Sequence, residues 1–183
     1  MNYLNRFKQL SDEAAESLYN LVKDMVNKNT TNILEVGTYA GQATLRLALA
    51  AAEKSSLIKI ISLDYRDNIF SPGAQESLKA SNISNTTVKY GELDKRFEEN
   101  IIEANIIYID RFRNIIDEKM ELIKRNVMIP TKVIFRNPKN SSDFPFEVTE
   151  ISPVIKPKAK KKTSATTATT DKTVTKETKK ETT

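Results

Sequence analysis

The most informative segment of the chain reads Asn32-Ile33-Leu34-Glu35-Val36-Gly37-Thr38-Tyr39-Ala40-Gly41-Gln42, and an alanine-rich run continues it to Ala52. The apolar residues 33–36 predict a strand, and residues 42–53 predict a helix. The two glycines between them let the main chain turn sharply and approach a ligand closely. A strand that passes through such a turn into a helix N-terminus is typical of a site for a nucleotide-like cofactor.

Strands and helices alternate along the rest of the chain. A helix that Ser11 can cap precedes the segment, and its apolar stripe includes Leu18, Val22 and Met25. Further strands are predicted over residues 58–63, 87–90, 106–109, 132–135 and 146–151, and helices over residues 71–80 and around Phe97 and Met120. This alternation predicts an α/β fold, a Rossmann-like doubly wound and mostly parallel sheet with helices on both faces.

The candidate site residues all fall where predicted strands end. They are Glu35 to Gly41, Asp64, Gly91, Asp110 and Asn137. In a parallel sheet, ligands bind outside the carboxyl ends of the strands, so we expect these residues to share one site. Asp64 is well placed there to accept hydrogen bonds from ribose hydroxyls.

Composition excludes several kinds of chemistry. The 183 residues include no Cys and no His, which removes disulfides, Cys/His zinc sites, thiol nucleophiles and an imidazole base. The formal net charge is +5, but residues 156–183 hold nine Lys against three acids. The other 155 residues hold 20 basic and 21 acidic residues and are nearly neutral, so they lack the general charge signature of a nucleic-acid binder.

The glycine segment is neither a dinucleotide fingerprint nor a phosphate-binding P-loop, because the glycine spacing and the Lys-Ser/Thr pair are missing. Residues 34–41 instead resemble motif I of class I S-adenosylmethionine-dependent methyltransferases. The Gly-Thr-Tyr-x-Gly form is most similar to the cation-dependent O-methyltransferases of the catechol and caffeoyl-CoA type. The resemblance extends through residues 61–64, 90–92 and 106–110 and implies the class I methyltransferase fold, truncated at its C-terminal hairpin.

The resemblance implies a binding site for S-adenosyl-L-methionine. Glu35, Gly37, Thr38, Tyr39 and Gly41 would line the methionine end of the cofactor. Asp64 would bind the ribose with Tyr65 beside the adenine, and Gly91 and Glu92 would lie near the adenine edge. The family usually has Tyr-Ser after the second glycine, where this chain has Gln42-Ala43.

The chain departs from the family at the positions that bear the chemistry. Asp110 and Asn137 match two metal ligands of the family, but Arg136 stands at the third, and Arg113 stands at the lysine that helps remove a proton. A guanidinium repels a cation and stays protonated, so Arg113 cannot act as a base. We therefore expect no divalent metal and a site suited to an anionic group, with Asp110 and Arg113 as the candidate catalytic residues. The alternative is that Arg111 and Arg113 are solvated loop charges.

Three functions stay open on the sequence alone. The first is a methyltransferase without a metal, acting on a small or anionic acceptor that Asp110 positions or deprotonates. The second is a catalytically degenerate relative that works as a binding or interaction module. The third is a protein that contacts nucleic acid weakly through its basic tail.

The ends of the chain complete the prediction. Residues 1–155 form the predicted domain, and residues 156–183 form a Lys/Thr-rich tail with too few apolar residues to order itself. Residues 146–151 can supply one strand of the family's terminal hairpin, which leaves a sheet edge that a second subunit can cover. Without an N-terminal apolar region or a membrane-spanning run, we expect a cytoplasmic protein.

Overall fold

The structure is a computed structural model that describes residues 10–64, 71–110, 113–137 and 145–153, with the backbone alone for 71–73, 77 and 113–115. In this part of the chain, helices and strands alternate. Their bounds are α1 Asp12–Met25, β1 Asn32–Val36, α2 Gln42–Lys54, β2 Lys59–Asp64, α3 Ser71–Ala80, β3 Thr86–Tyr90, α4 Leu93–Ile101, β4 Ile106–Ile109, α5 Arg113–Asn126, β5 Thr131–Arg136 and β6 Phe146–Ile151.

The strands form one sheet in the order β3-β2-β1-β4-β5-β6. Strands β1 to β5 run parallel, and β6 pairs antiparallel with β5. The strand order reverses between β1 and β4, which makes the carboxyl ends of these two strands the switch point of the sheet. The predicted doubly wound, mostly parallel α/β fold is therefore confirmed.

Alternate residues of each central strand pack on opposite faces of the sheet. On β1, Ile33 belongs to the core under α1 and α2, whereas Leu34 belongs to the core under α4 and α5. Both cores are built mainly from buried aliphatic side chains, as expected for parallel strands covered on both faces. The alanine-rich face of α2 allows close contact with α1, where Ala14 and Ala15 are also fully buried.

The sequence predicted every one of these elements, and where it predicted the bounds of a strand or helix they differ from the observed ones by about one residue. Ser11 caps α1 as expected, because its hydroxyl accepts a hydrogen bond from Ala14 N at 3.1 Å. Residues 146–151 form the sixth strand, and β6 is an edge strand of the sheet. Within the described residues, no helix is long and apolar enough to cross a membrane.

Candidate functional site

The loop between β1 and α2 lies at the carboxyl end of the sheet and is fixed to both neighbouring strands. Gly37 N donates to Leu63 O at 2.8 Å, which ties the start of the loop to β2. Asp110 N donates to Val36 O at 2.9 Å, which brings the end of β4 beside the end of β1. The topology therefore assembles the predicted residues of β1, β2 and β4 at one edge.

Asp64 holds the tip of this loop. Its Oδ2 accepts a hydrogen bond from Tyr39 N at 2.7 Å, a short bond of the charge-assisted kind. Tyr39 has a φ of 45°, which a residue with a side chain adopts only when its surroundings hold it there. The Asp64 carboxylate at the end of β2 thus fixes the backbone of the loop that sequence analysis predicts to contact a cofactor.

Gly41 is required by packing as well as by its turn. Its φ is +80°, and a Cβ built on it would lie 2.7 Å from Ala74 Cβ on α3. A side chain at position 41 would therefore force α2 and α3 apart. The space beside this glycine is occupied by a helix of the same chain.

Four buried polar side chains form a network beneath the loop. Ser62 Oγ donates to Glu35 Oε2 at 2.6 Å, and Thr38 Oγ1 lies 2.5 Å from Ser62 Oγ. Thr44 Oγ1 of α2 lies 3.4 Å from the same Ser62 oxygen. The network links β1, β2, α2 and the glycine loop. Sequence analysis proposed Glu35 and Thr38 for the site but missed Ser62 and Thr44, whose partners only the fold reveals.

Burial dominates the ionisation of Glu35. The side chain is 0% exposed, and this desolvation raises its pKa from 4.5 to about 8. The hydrogen bonds from Ser62 and Thr44 lower this pKa, whereas the nearby carboxylates of Asp110 and Asp64 raise it further. At neutral pH the Glu35 carboxyl is therefore mostly protonated.

The loop after β3 lies at the same edge of the sheet as the glycine loop. Gly91 N donates to Asp64 O at 3.1 Å, so β3 and β2 end together. Arg96 Nε donates to Gly91 O at 3.1 Å, and its guanidinium lies 3.9 Å from the Glu92 carboxylate. The Glu92 side chain is exposed, whereas its backbone begins α4.

Asp110 and Arg136 face each other at the ends of β4 and β5. Arg136 Nη1 lies 3.8 Å from Asp110 Oδ1, and each side chain is 18% exposed. The next residue, Asn137, donates its side-chain amide to the Glu147 carboxylate on β6. These donors do not fit a divalent cation, because a guanidinium beside Asp110 repels one. The described residues contain no group of three or more His, Cys, Asp or Glu side chains that could hold a metal.

Some of the predicted residues lie outside the described part of the chain. These are Tyr65 and Arg111. Arg113 is described by its backbone alone, as the first residue of α5. The tail, residues 156–183, also lies outside the described ranges.

Three buried polar atoms at this edge have no hydrogen-bond partner among the described residues. They are Oε1 of Glu35, Oε1 of Gln42 and the hydroxyl oxygen of Tyr90. Buried polar atoms are nearly always hydrogen-bonded, so each of these three atoms needs a partner that the described residues do not supply. Sequence analysis did not single out Gln42 or Tyr90 for such a role, although each adjoins a glycine of the site.

No protein-family model and no curated protein matches the chain. Solved structures do match. An O-methyltransferase from Bacillus cereus in complex with SAH is 20% identical with a TM-score of 0.59, and the match covers 74% of this chain and 65% of that one. The O-methyltransferase TomG from Streptomyces achromogenes in complex with SAM is 14% identical with a TM-score of 0.58, covering 74% of this chain and 64% of that one.

An RNA methyltransferase from Salinibacter ruber in complex with S-adenosyl-L-homocysteine is 15% identical with a TM-score of 0.59. That match covers 83% of this chain and 98% of the other, whereas this chain spans less than two thirds of the two O-methyltransferases. All three structures superpose on most of this chain with TM-scores of 0.58 to 0.59. The chain therefore has the fold of the class I S-adenosylmethionine-dependent methyltransferases.

Proposed function

We propose that this protein is an S-adenosyl-L-methionine-dependent methyltransferase that acts on a small or anionic acceptor without a divalent metal. The observation that carries the proposal is the glycine loop whose tip is bonded to Asp64, at 2.7 Å, together with the buried polar atoms of Glu35, Gln42 and Tyr90 that have no hydrogen-bond partner among the described residues. The fold places this loop at the switch point, where such sheets bind ligands.

The proposed cofactor contacts are those that the resemblance to the class I methyltransferases implies. Glu35, Gly37, Thr38, Tyr39 and Gly41 serve the methionine end, Asp64 and Tyr65 the nucleoside, and Gly91 and Glu92 the adenine edge. A carboxylate has about four acceptor positions, so Asp64 can bond both Tyr39 N and a ribose hydroxyl. The acidic side chains of the edge also favour the positive charge of a sulfonium.

The bound cofactor would supply an electrophilic methyl group. Because methyl transfer is an in-line displacement, the contribution of the chain is to position the acceptor oxygen and manage its charge. We assign Asp110 to hold or deprotonate the acceptor, and Arg136 to attract an anionic acceptor to the same place. Arg113 joins Arg136 in this proposal as a fixed positive charge and not as a base.

Calorimetric titration with S-adenosylmethionine and S-adenosylhomocysteine tests the pocket. Transfer is then measured by the release of S-adenosylhomocysteine with two sets of acceptors, neutral catechols and small carboxylates. We expect binding of both ligands and turnover of carboxylates only, with loss of that preference in Arg136→Gln. An absence of binding at millimolar ligand would contradict the proposal.

The second function, that of a binding module without catalysis, stays as the alternative. Arg136 Nη1 lies 3.8 Å from Asp110 Oδ1, at positions where the resemblance would imply ligands of an acceptor-activating metal. Binding of S-adenosylmethionine without turnover of any acceptor class would select this function. The same calorimetric and transfer measurements therefore separate the two.

We further propose that the open edge of β6 supports a homodimer in the cytoplasm. Val148, Thr149 and Glu150 on this edge strand are exposed. An exposed edge strand readily pairs with another chain. Sedimentation of the wild type and of Val148→Lys tests this, because the added charge should lower the dimer fraction.

The basic tail suggests a weak nucleic-acid contact. We propose that residues 156–183 form a disordered segment separate from the domain of residues 1–155, with nine Lys against three acids to attract phosphates. The similarity in fold and length to an RNA methyltransferase agrees with such a partner. Removal of residues 156–183 should abolish any affinity for RNA that falls steeply with salt.

A further inference from the structure

The Glu35 carboxyl has an unusual environment for an acidic side chain beside a ligand site. It is 0% exposed, and among the described residues its Oε1 has no hydrogen-bond partner. Two hydrogen bonds, through Ser62 and Thr38, separate it from the glycine loop. A charge on this group would therefore lie two hydrogen bonds from the loop that we propose holds the cofactor, and its burial would leave that charge poorly screened by solvent.

The neighbours of Glu35 include uncharged side chains of the sheet and of α2 and two further carboxylates. On the sheet, its registered neighbours are Ser62 on β2 and the buried Tyr108 on β4. The side chain that α2 contributes is the uncharged Thr44. The charged groups that act on it are Asp64 and Asp110, and Arg136 lies 3.8 Å from Asp110. Burial first, and then these two carboxylates, favour the protonated form of Glu35, and a cation placed above the loop would favour release of the proton.

We propose that Glu35 distinguishes the methyl donor from the product through its own charge. Its carboxyl is ionised to a greater extent while the sulfonium is bound than when the uncharged thioether occupies the same site, because the amino-acid ammonium is common to both ligands and the sulfonium adds one positive charge. The proton passes to solvent when S-adenosylmethionine binds and returns from solvent once the sulfonium is gone. This inference rests on the proposed function, because it requires the cofactor at the glycine loop.

Linkage gives the consequence for affinity. A ligand that releases a proton binds more tightly as the pH rises, whereas one that releases none does not. The affinity for S-adenosylmethionine relative to S-adenosylhomocysteine should therefore rise between pH 6.5 and 9, by about tenfold for charges several ångströms apart in a protein. The methionyl groups of the two ligands are the same, so their own titration cancels in this ratio.

Calorimetry in two buffers of different ionisation enthalpy, phosphate and Tris at pH 8, measures the proton directly. For the wild type we expect S-adenosylmethionine to release on the order of half a proton more than S-adenosylhomocysteine. This difference should vanish in Glu35→Gln and persist in Glu98→Gln, an exposed control on α4. Ser62→Ala removes a bond that favours the ionised form, so the pH at which the affinity ratio changes should move upward.

The outcomes separate this inference from the proposed function. If both ligands bind the wild type with equal proton exchange, Glu35 does not respond to the sulfonium. The inference is then wrong, whereas the proposed cofactor site is supported. A difference that survives in Glu35→Gln assigns the effect to another group and also overturns the inference. If neither ligand binds, the proposed function and this inference fail together. The wild-type comparison needs no variant, so it holds even if Glu35→Gln does not fold.

Discussion

The guanidinium of Arg136 lies 3.8 Å from the carboxylate of Asp110, at the carboxyl ends of the neighbouring strands β5 and β4. Both side chains are mostly buried, so their charges are only weakly screened. By resemblance, the same two positions would carry carboxylates that share a metal. In this chain Arg136 instead provides Asp110 with an internal counter-ion.

Restoring a carboxylate at position 136 should restore affinity for a metal. Arg136→Asp removes the repulsive charge and places two carboxylates beside Asn137, a set of oxygen donors that Mg²⁺ prefers. We expect millimolar Mg²⁺ to raise the melting temperature of this variant. Wild type and Arg136→Gln, which loses the charge without gaining a carboxylate, should show no such rise. An equal response of all three proteins would contradict this account of the pair.

Asp64 should contribute to the binding of S-adenosylmethionine both through its hydrogen bond to Tyr39 N and through its negative charge. Asp64→Ala leaves Tyr39 N without its acceptor and removes the proposed ribose partner, so we expect at least tenfold weaker binding of S-adenosylmethionine, since such a bond is worth about 1.5–3 kcal/mol. Asp64→Asn keeps an acceptor oxygen and should bind with intermediate affinity. The exposed Asp117→Ala serves as the control, and its dissociation constant in calorimetry should equal that of the wild type.

Two glycines offer a matched test of packing at the loop. Both Gly41 and Gly91 have a positive φ, but an added Cβ would meet Ala74 at position 41 and nothing within 4 Å at position 91. Gly91→Ala should cost about 1 kcal/mol from its backbone conformation alone. Gly41→Ala adds overpacking and should cost at least about 2 kcal/mol. Urea unfolding of both variants measures the difference, and equal losses would rule out the steric argument.

The two partners of the Lys119–Asp94 ion pair should differ in the stability that is lost when each is replaced. Its ammonium is 2.5 Å from Asp94 on α4 and 5.1 Å from the centre of the Phe97 ring, and its side chain is 2% exposed whereas that of Asp94 is 64% exposed. Asp94→Ala leaves a buried charge without its close partner, at a cost of about 2–3 kcal/mol. Lys119→Met leaves only a solvated carboxylate and should cost less than about 1.5 kcal/mol. Denaturant unfolding should show this order, and the reverse order would count against the pair.

The pKa of Glu35 predicts how stability depends on pH. Between about pH 4.5 and 8 the unfolded chain has lost a proton that the folded chain retains, so this group makes stability fall as the pH rises. The slope within that window approaches about 1.4 kcal/mol per pH unit. Glu35→Gln lacks this titration. The free energy of unfolding of the variant minus that of the wild type should therefore increase from pH 5 to pH 8. Parallel curves for the two proteins would show that Glu35 is ionised in the folded state.

Sequence patterns were sufficient for the fold because local and periodic signals agreed. The uninterrupted apolar strands, the cap at Ser11 and the glycines of the first loop each predicted the structure that is found. Residue types at strand ends also predicted which side chains would meet, since parallel strands bring their carboxyl ends together. Asp64 and Asp110 were identified in this way.

The contacts within the site depended on features that a linear pattern does not encode. Ser62 lies on β2 among apolar residues, and its bond to Glu35 follows only from the register of β1 with β2. The partner of Gly41 is a residue of α3, more than thirty positions later. The ion pair between the buried Lys119 and the exposed Asp94 likewise needs the packing of two helices that the sequence shows only as separate amphipathic segments.

Thermal unfolding of the full chain with increasing S-adenosylmethionine, in the presence of either magnesium or a chelator, tests the central claim most directly. Ligand that binds only the folded state raises the melting temperature by an amount set by its concentration and affinity. We predict the same dose-dependent rise with and without magnesium. No rise at saturating ligand, or a rise that appears only with magnesium, would contradict a metal-free cofactor site at the glycine loop.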